Sequence, residues 1–197
     1  MIEKIVPYDE LSEMAINSFQ SGLRLHLDSI IMVKHKSYAS ATLLSVLSME
    51  EFGKYFSLSA YVFYTSVNDT RNAVDEEKYL EKLYIHPFKQ SACFGGHGFE
   101  VSEDIKEKVK NKYYENLKQR AAYVGYERIK GKINLNKRFH TPKHIGHKTA
   151  TQQVIFLNNL LIELVEQRVN GFIEMDEEKV NRILNERLLK KLRSIFQ

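Results

Sequence analysis

The sequence predicts an all-α protein: an up-and-down helical bundle with an additional C-terminal helix, in one domain over residues 1–197. Three observations carry this. Tyr38–Ser66 and about Thr149–Asn170 are apolar on nearly every face, as the central helices of a bundle are. Amphipathic segments that begin at capping residues surround them. Three prolines and nine glycines in 197 residues are too few for a β-sandwich or a disordered tail. The bundle core is expected at about 9–171 and the extra helix at about 176–195.

Taken in order, Asp9 is placed as the N-cap of a helix to about Lys34, with Leu11, Met14, Ala15, Gly22, Leu25 and Met32 on or near one stripe. Ser37 caps the apolar helix that follows, and Val67-Asn68-Asp69-Thr70 reads as a loop. Asp75 caps Glu76 to about Ile85, where His86-Pro87 ends that helix or starts the next turn. Gly95-Gly96-His97-Gly98 is a flexible break without the Gly-Lys-Ser/Thr ending of a phosphate-binding loop. Ser102 opens a charged helix to about Ala122, and Tyr123-Val124-Gly125-Tyr126 favours extended backbone. Lys130 to about Lys148 reads as a basic loop. Gly171 ends the second apolar helix, and Asp176 caps Glu177 to about Ile195.

A composition of 43% hydrophobic and 27% charged residues is that of a soluble globular chain. The single cysteine, Cys93, excludes an intramolecular disulfide, fits a reducing cytoplasm, and reads as an inert buried thiol. Met1-Ile-Glu-Lys-Ile-Val-Pro has no apolar signal core, so no export is expected. Tyr38–Ser66 is long enough to span a bilayer, but Glu50, Glu51 and Lys54 would sit near its midplane. At about 2.5–3.5 kcal/mol each, that placement is disfavoured, and no membrane role is expected.

Those three charges are the first pointer to a site. On a helix Glu50 and Glu51 lie four and three residues before Lys54, so both carboxylates are expected to reach its ammonium. One pair neutralises itself, and the second carboxylate needs a further partner. A different signal lies between Arg128 and Ile162, where there is no Asp or Glu. Arg128, Lys130, Lys132, Lys137, Arg138, Lys143 and Lys148 gather there, with His140, His144 and His147 interleaved. This is either a solvated basic loop or a phosphate-contacting surface.

The motif Glu50-Glu51-x-Gly53-Lys54 resembles the AbiV family of abortive-infection proteins. So do His86-Pro-Phe-Lys89-Gln90, placed at the end of a later helix, and Tyr123-Val124-Gly125-Tyr126. The third motif departs from the family at Gly125, where an acidic residue is usual. The resemblance implies a bacterial anti-phage protein of the HEPN helical group, a homodimer in that group's manner, and a phage-encoded activator that releases it on infection. Many HEPN domains are metal-independent ribonucleases with an Arg-x₄₋₆-His signature, which Arg138 and His144 match here.

Metal-free RNA cleavage needs a base for the 2′-hydroxyl, an acid for the leaving oxygen and cations for the phosphorane charge. Two clusters offer the set: His86 and Lys89 with Glu50, Glu51 and Lys54, and Arg138 with Lys143, His144 and His147. RNA contacts are expected from Arg128, Lys130, Lys132, Lys137, Lys143, His147 and Lys148. The competing reading of the first cluster is a buried polar network that fixes helix register. A metal ranks third, because no helix carries a Glu-x-x-His pair and Lys54 would compete with the ion. No cofactor is expected. RNA or the translation machinery is the expected target, and the rival is a non-enzymatic module that binds RNA, a ribosomal component or a partner protein. His26 and His35 read as surface or packing residues.

Overall fold

Both apolar stretches, and the amphipathic ones around them, fold as helix in the computed structural model, which describes residues 5–68, 71–95, 102–123, 125–129, 132–139, 145–169 and 178–195. The elements are α1 (Tyr8–Lys34), α2 (Tyr38–Asn68), α3 (Ala73–Lys82), α4 (His86–Gly95), α5 (Glu103–Lys110), α6 (Tyr113–Ala122), β1 (Gly125–Ile129), β2 (Lys132–Phe139), α7 (His147–Val169), α8 (Glu178–Ile183) and α9 (Glu186–Arg193). The class is all-α, as the composition requires.

Four local expectations change. The charged helix after Ser102 is two helices, broken at Asn111-Lys112, where Lys112 takes φ 54° in the left-handed region. The final helix is also two, because the Asn185 side chain accepts from the Leu188 amide and starts α9 afresh. The cap of α3 is Asn72, which accepts from Asp75 N at 2.9 Å, so Asp75 sits in the first turn. Finally, much of the expected basic loop is a hairpin: β1 and β2 pair antiparallel from Gly125↔Phe139 to Ile129↔Lys132, with an irregularity at Tyr126/Glu127. Gly96–Gly98, Gly171 and Asp176 lie outside the described residues.

The chain divides into two compact units, and α1 and α2 contribute residues to both. The first unit takes the described residues of 1–23 and 48–112. Its centre is aromatic: Phe19 meets Phe52 and Tyr55 edge-on, with ring centroids 5.5 and 5.1 Å apart, and all three are fully buried. Such rings contribute roughly 1.5–3 kcal/mol each by burial, with about 0.5–1.5 more per favourable pair. Ser48 Oγ donates to the Gly22 carbonyl at 2.6 Å, tying α2 to α1. At the margin of this unit Glu76, 1% exposed, accepts from Val6 N at 2.6 Å, Tyr61 Oη at 3.0 Å and Arg71 Nε at 2.8 Å. Tyr61 therefore packs, whereas Tyr64 is 63% exposed.

The second unit takes 24–47 and the described part of 113–197. Val154, Leu157, Leu161, Leu164 and Val165 make α7 its buried axis. Leu189 and Leu192 seat α9 on that helix, beside a Glu166–Arg193 ion pair at 2.5 Å. His26 and Asn158, both buried, share a hydrogen bond of 3.0 Å.

Candidate active site

Three hydrogen-bonded turns place α4. The amides of Tyr84 and Ile85 donate back to the Glu81 and Lys82 carbonyls, and Lys89 N reaches Ile85 O at 3.1 Å. Pro87 stands in the first helical turn, where a missing N–H leaves no bond unmade. The His86-Pro87 pair therefore begins α4, the second of the two readings of Pro87; only the motif's expected place at the end of a helix is corrected. On that helix His86, Lys89 and Gln90 are three and four residues apart and share one face.

All three turn to one carboxylate. Glu50 Oε2 lies 2.7 Å from His86 Nδ1 and 3.4 Å from Lys89 Nζ, and Glu50 Oε1 accepts from Gln90 Nε2 at 2.9 Å. The Glu50 side chain is 2% exposed. A buried carboxylate is costly without donors, and charge-assisted bonds of this kind supply them. A carboxylate can only accept, so Nδ1 of the neutral His86 ring carries the proton and Nε2 keeps its lone pair. The His86 side chain is 49% exposed, so the imidazole is held from one side by the protein and open on the other.

Gly53 makes this geometry possible. A Cβ there would stand 1.7 Å from the Lys89 carbonyl oxygen and 3.0 Å from Cys93 N. The backbone of α4 thus lies directly on α2 at Gly53, and only glycine leaves room for it. Cys93 is buried in the same contact, and burial pushes its thiol up, so the reading of an inert thiol stands.

Glu51 and Lys54 sit elsewhere in this unit. With Glu10, Glu13, Met14, Asn17 and Ser18 they line an open cleft of about 350 Å³. Among the described residues no carboxylate comes within ion-pair distance of the Lys54 ammonium. Helical spacing put both glutamates on Lys54, but the tertiary donors on α4 take Glu50 instead.

The second cluster is less assembled. Arg138 is exposed on β2, Lys132 is exposed at its start, and Lys148 is exposed in the first turn of α7. His147, also exposed, sets its ring edge-on to Tyr38 at 5.4 Å. Arg128 and Lys137 have strand backbone, and nothing is described of their side chains; Lys130, Lys143 and His144 lie outside the described residues. His35 is exposed and His26 is packed, as expected. Gln90 and Gly53 were in the motifs but not among the expected site residues; their roles become legible only once α4 is laid on α2.

Among the described residues, no helix is long and apolar enough to cross a membrane. The family profile of AbiV, a branch of the HEPN group, matches residues 10–163, a span that holds Glu50, Gly53, Lys54, His86, Lys89 and Gln90. No curated protein and no solved structure matches the chain.

Proposed function

The chain belongs to the AbiV family of abortive-infection proteins, and on that premise we propose that it arrests the infected cell by cleaving RNA needed for translation. The observation that carries this reading is the half-exposed His86 held through Nδ1 by the buried Glu50. In the proposed step His86 Nε2 takes the proton of a 2′-hydroxyl. The alkoxide attacks the adjacent phosphorus, the bond to the 5′-oxygen breaks, and that oxygen leaves with a proton from solvent. Glu50 stabilises the imidazolium that forms. Lys89 and Gln90 are positioning residues, since both are buried against Glu50. A phage-encoded activator and a homodimeric state complete the proposal.

The test follows total RNA and a reporter translation reaction side by side after the purified protein is added to an extract of phage-infected cells, which supplies the activator. Wild type is expected to yield discrete fragments, and His86→Ala to slow their appearance by roughly 10²–10⁴-fold, the usual worth of an acid–base group. Loss with His144→Ala instead would move the chemistry to the Arg138 cluster. Translation blocked over intact RNA would favour the binding module, a reading supported by the exposed Lys132, Arg138, His147 and Lys148.

Tyr84 extends the same proposal. Its ring is 76% exposed in the turn immediately before His86, on backbone fixed by its bond to Glu81 O at 3.1 Å. An open ring two residues from the acid–base group suits the stacking of an unpaired base, worth about 1–3 kcal/mol. Tyr84→Ala is expected to raise KM about tenfold with kcat little changed, and Tyr84→Phe to restore KM; an unchanged KM in the alanine variant refutes the stacking role.

A further inference from the structure

Helix α9 lies beyond the residues that match the family profile, which end at 163. In eight residues it carries Arg187, Lys190, Lys191 and Arg193 against one acid, Glu186. Of its three leucines, Leu189 and Leu192 are buried against α7 and Leu188 is half-buried. Two polar contacts hold it there: Asn158 Nδ2 donates to Leu192 O at 3.1 Å, and Arg193 pairs with Glu166 at 2.5 Å. The helix is thus fixed in place, and its basic face is turned outward.

Of the four cations, only Arg193 has an acidic partner among the described residues. Arg187, Lys190 and Lys191 are exposed and fall at i, i+3 and i+4, with Cβ atoms roughly 5–6 Å apart on one face. The contrast with α8 is instructive, because Arg182 there is neutralised by Glu178 at 2.5 Å. A shallow, open groove of about 580 Å³ lies beside Arg187 and Lys190, with Asn185 and Glu186 also among the described residues that line it. Among its described lining residues the one carboxylate is Glu186, in the first turn of α9.

We propose that the exposed face of α9, built from Arg187, Lys190 and Lys191 beside this groove, is a docking surface for the phosphate backbone of single-stranded RNA. Charge complementarity favours a polyanion, and the burial of Leu189 and Leu192 argues against a membrane surface, since half-buried Leu188 alone leaves too little apolar area to enter one. The surface reads phosphates rather than bases, so it recruits RNA without choosing its sequence. It rests on the reading that RNA is the target, and it adds a surface on the part of the chain that the family profile does not cover.

The test is fluorescence anisotropy of a short labelled single-stranded RNA with the full chain, titrated across a range of salt. The variant carries Arg187→Gln, Lys190→Gln and Lys191→Gln together, with Arg182→Gln as the control for a cation already paired. Wild type is expected to bind with a steep salt dependence. The triple variant is expected to bind about tenfold or more weakly at low salt, and its log–log salt slope to fall by about 2, near 0.7 for each phosphate that is no longer neutralised. The control is expected to bind like wild type. Equal affinity and slope in the triple variant would overturn the proposal, as would wild type that ignores the RNA but binds phosphatidylserine vesicles. Binding is measured separately from cleavage: RNA held by α9 without fragments, in infected-cell extract as well, leaves this surface standing and removes the nuclease reading, and fragments with unchanged α9 dependence do the reverse. All three positions are exposed, so matching melting curves will show that the variant is folded.

Discussion

Gly53→Ala is expected to destabilise the first unit by about 3 kcal/mol or more and to abolish the His86–Glu50 hydrogen bond. Helix propensity alone points the other way, since alanine in a helix interior is favoured over glycine by about 1 kcal/mol. Steric contact decides the sign. The new methyl carbon would stand 1.7 Å from the Lys89 carbonyl oxygen and 2.7 Å from its carbon. Both are backbone atoms, so no side chain can rotate away, and α4 must move as a body. Overpacking in a closed core costs roughly 1–3 kcal/mol even when side chains can adjust. The displacement also carries His86, Lys89 and Gln90 away from Glu50, leaving a buried carboxylate short of its donors. Thermal unfolding followed by circular dichroism measures the first effect, and the His86 ring resonances in a proton–nitrogen spectrum measure the second. A variant that melts higher than wild type with those resonances unmoved would show that α4 does not lie on α2 as described.

This glycine also shows what a linear reading can and cannot see. The helical stripe and apolar runs made α1, α2 and α7 legible nearly to the residue, because burial in a helix leaves a period of 3.6 in the sequence. The breaks at Lys112 and Asn185 were missed. Lys112 takes its left-handed conformation without glycine, and the stop at Asn185 depends on a side-chain bond to Leu188 N at 3.1 Å. In the hairpin, Ile133 and Leu135 alternate with polar neighbours, a strand period that the density of lysine and arginine obscured. At the site, spacing along one helix named Lys54 as the partner of Glu50. The actual partners come from a helix thirty-six or more positions later in the chain, with His86 Nδ1 at 2.7 Å. The family likeness brought both motifs into view, but only the fold joins them.

The second large effect is on acid stability and centres on His26. Its ring is fully buried, and burial lowers its pKa from 6.5 to about 4, with the bond to Asn158 opposing that fall. The bonding order fixes the tautomer. Asn158 spends its NH₂ on the Leu192 carbonyl, so its Oδ1 faces His26 and must accept, and Nε2 carries the ring proton. Nδ1 has no hydrogen-bond partner among the described residues, so protonating it would place a charged, unpaired N–H in the core. The folded pKa is depressed for a base, so between pH 6.5 and about 4 the unfolded chain holds the proton that the folded chain refuses. Stability is therefore full above 6.5, falls as the pH drops through that window, and levels off for this group below about 4. At about 1.4 kcal/mol per pH unit the loss is bounded at roughly 3 kcal/mol. His26→Gln keeps an N–H donor for Asn158 and removes the titration. Its melting temperature is expected to be flatter than that of wild type over this window, while His35→Gln, at an exposed position, keeps the wild-type slope. If His26→Gln retains the full acid sensitivity, the proton enters elsewhere, and the His26–Asn158–Leu192 chain that joins α1, α7 and α9 has no part in it.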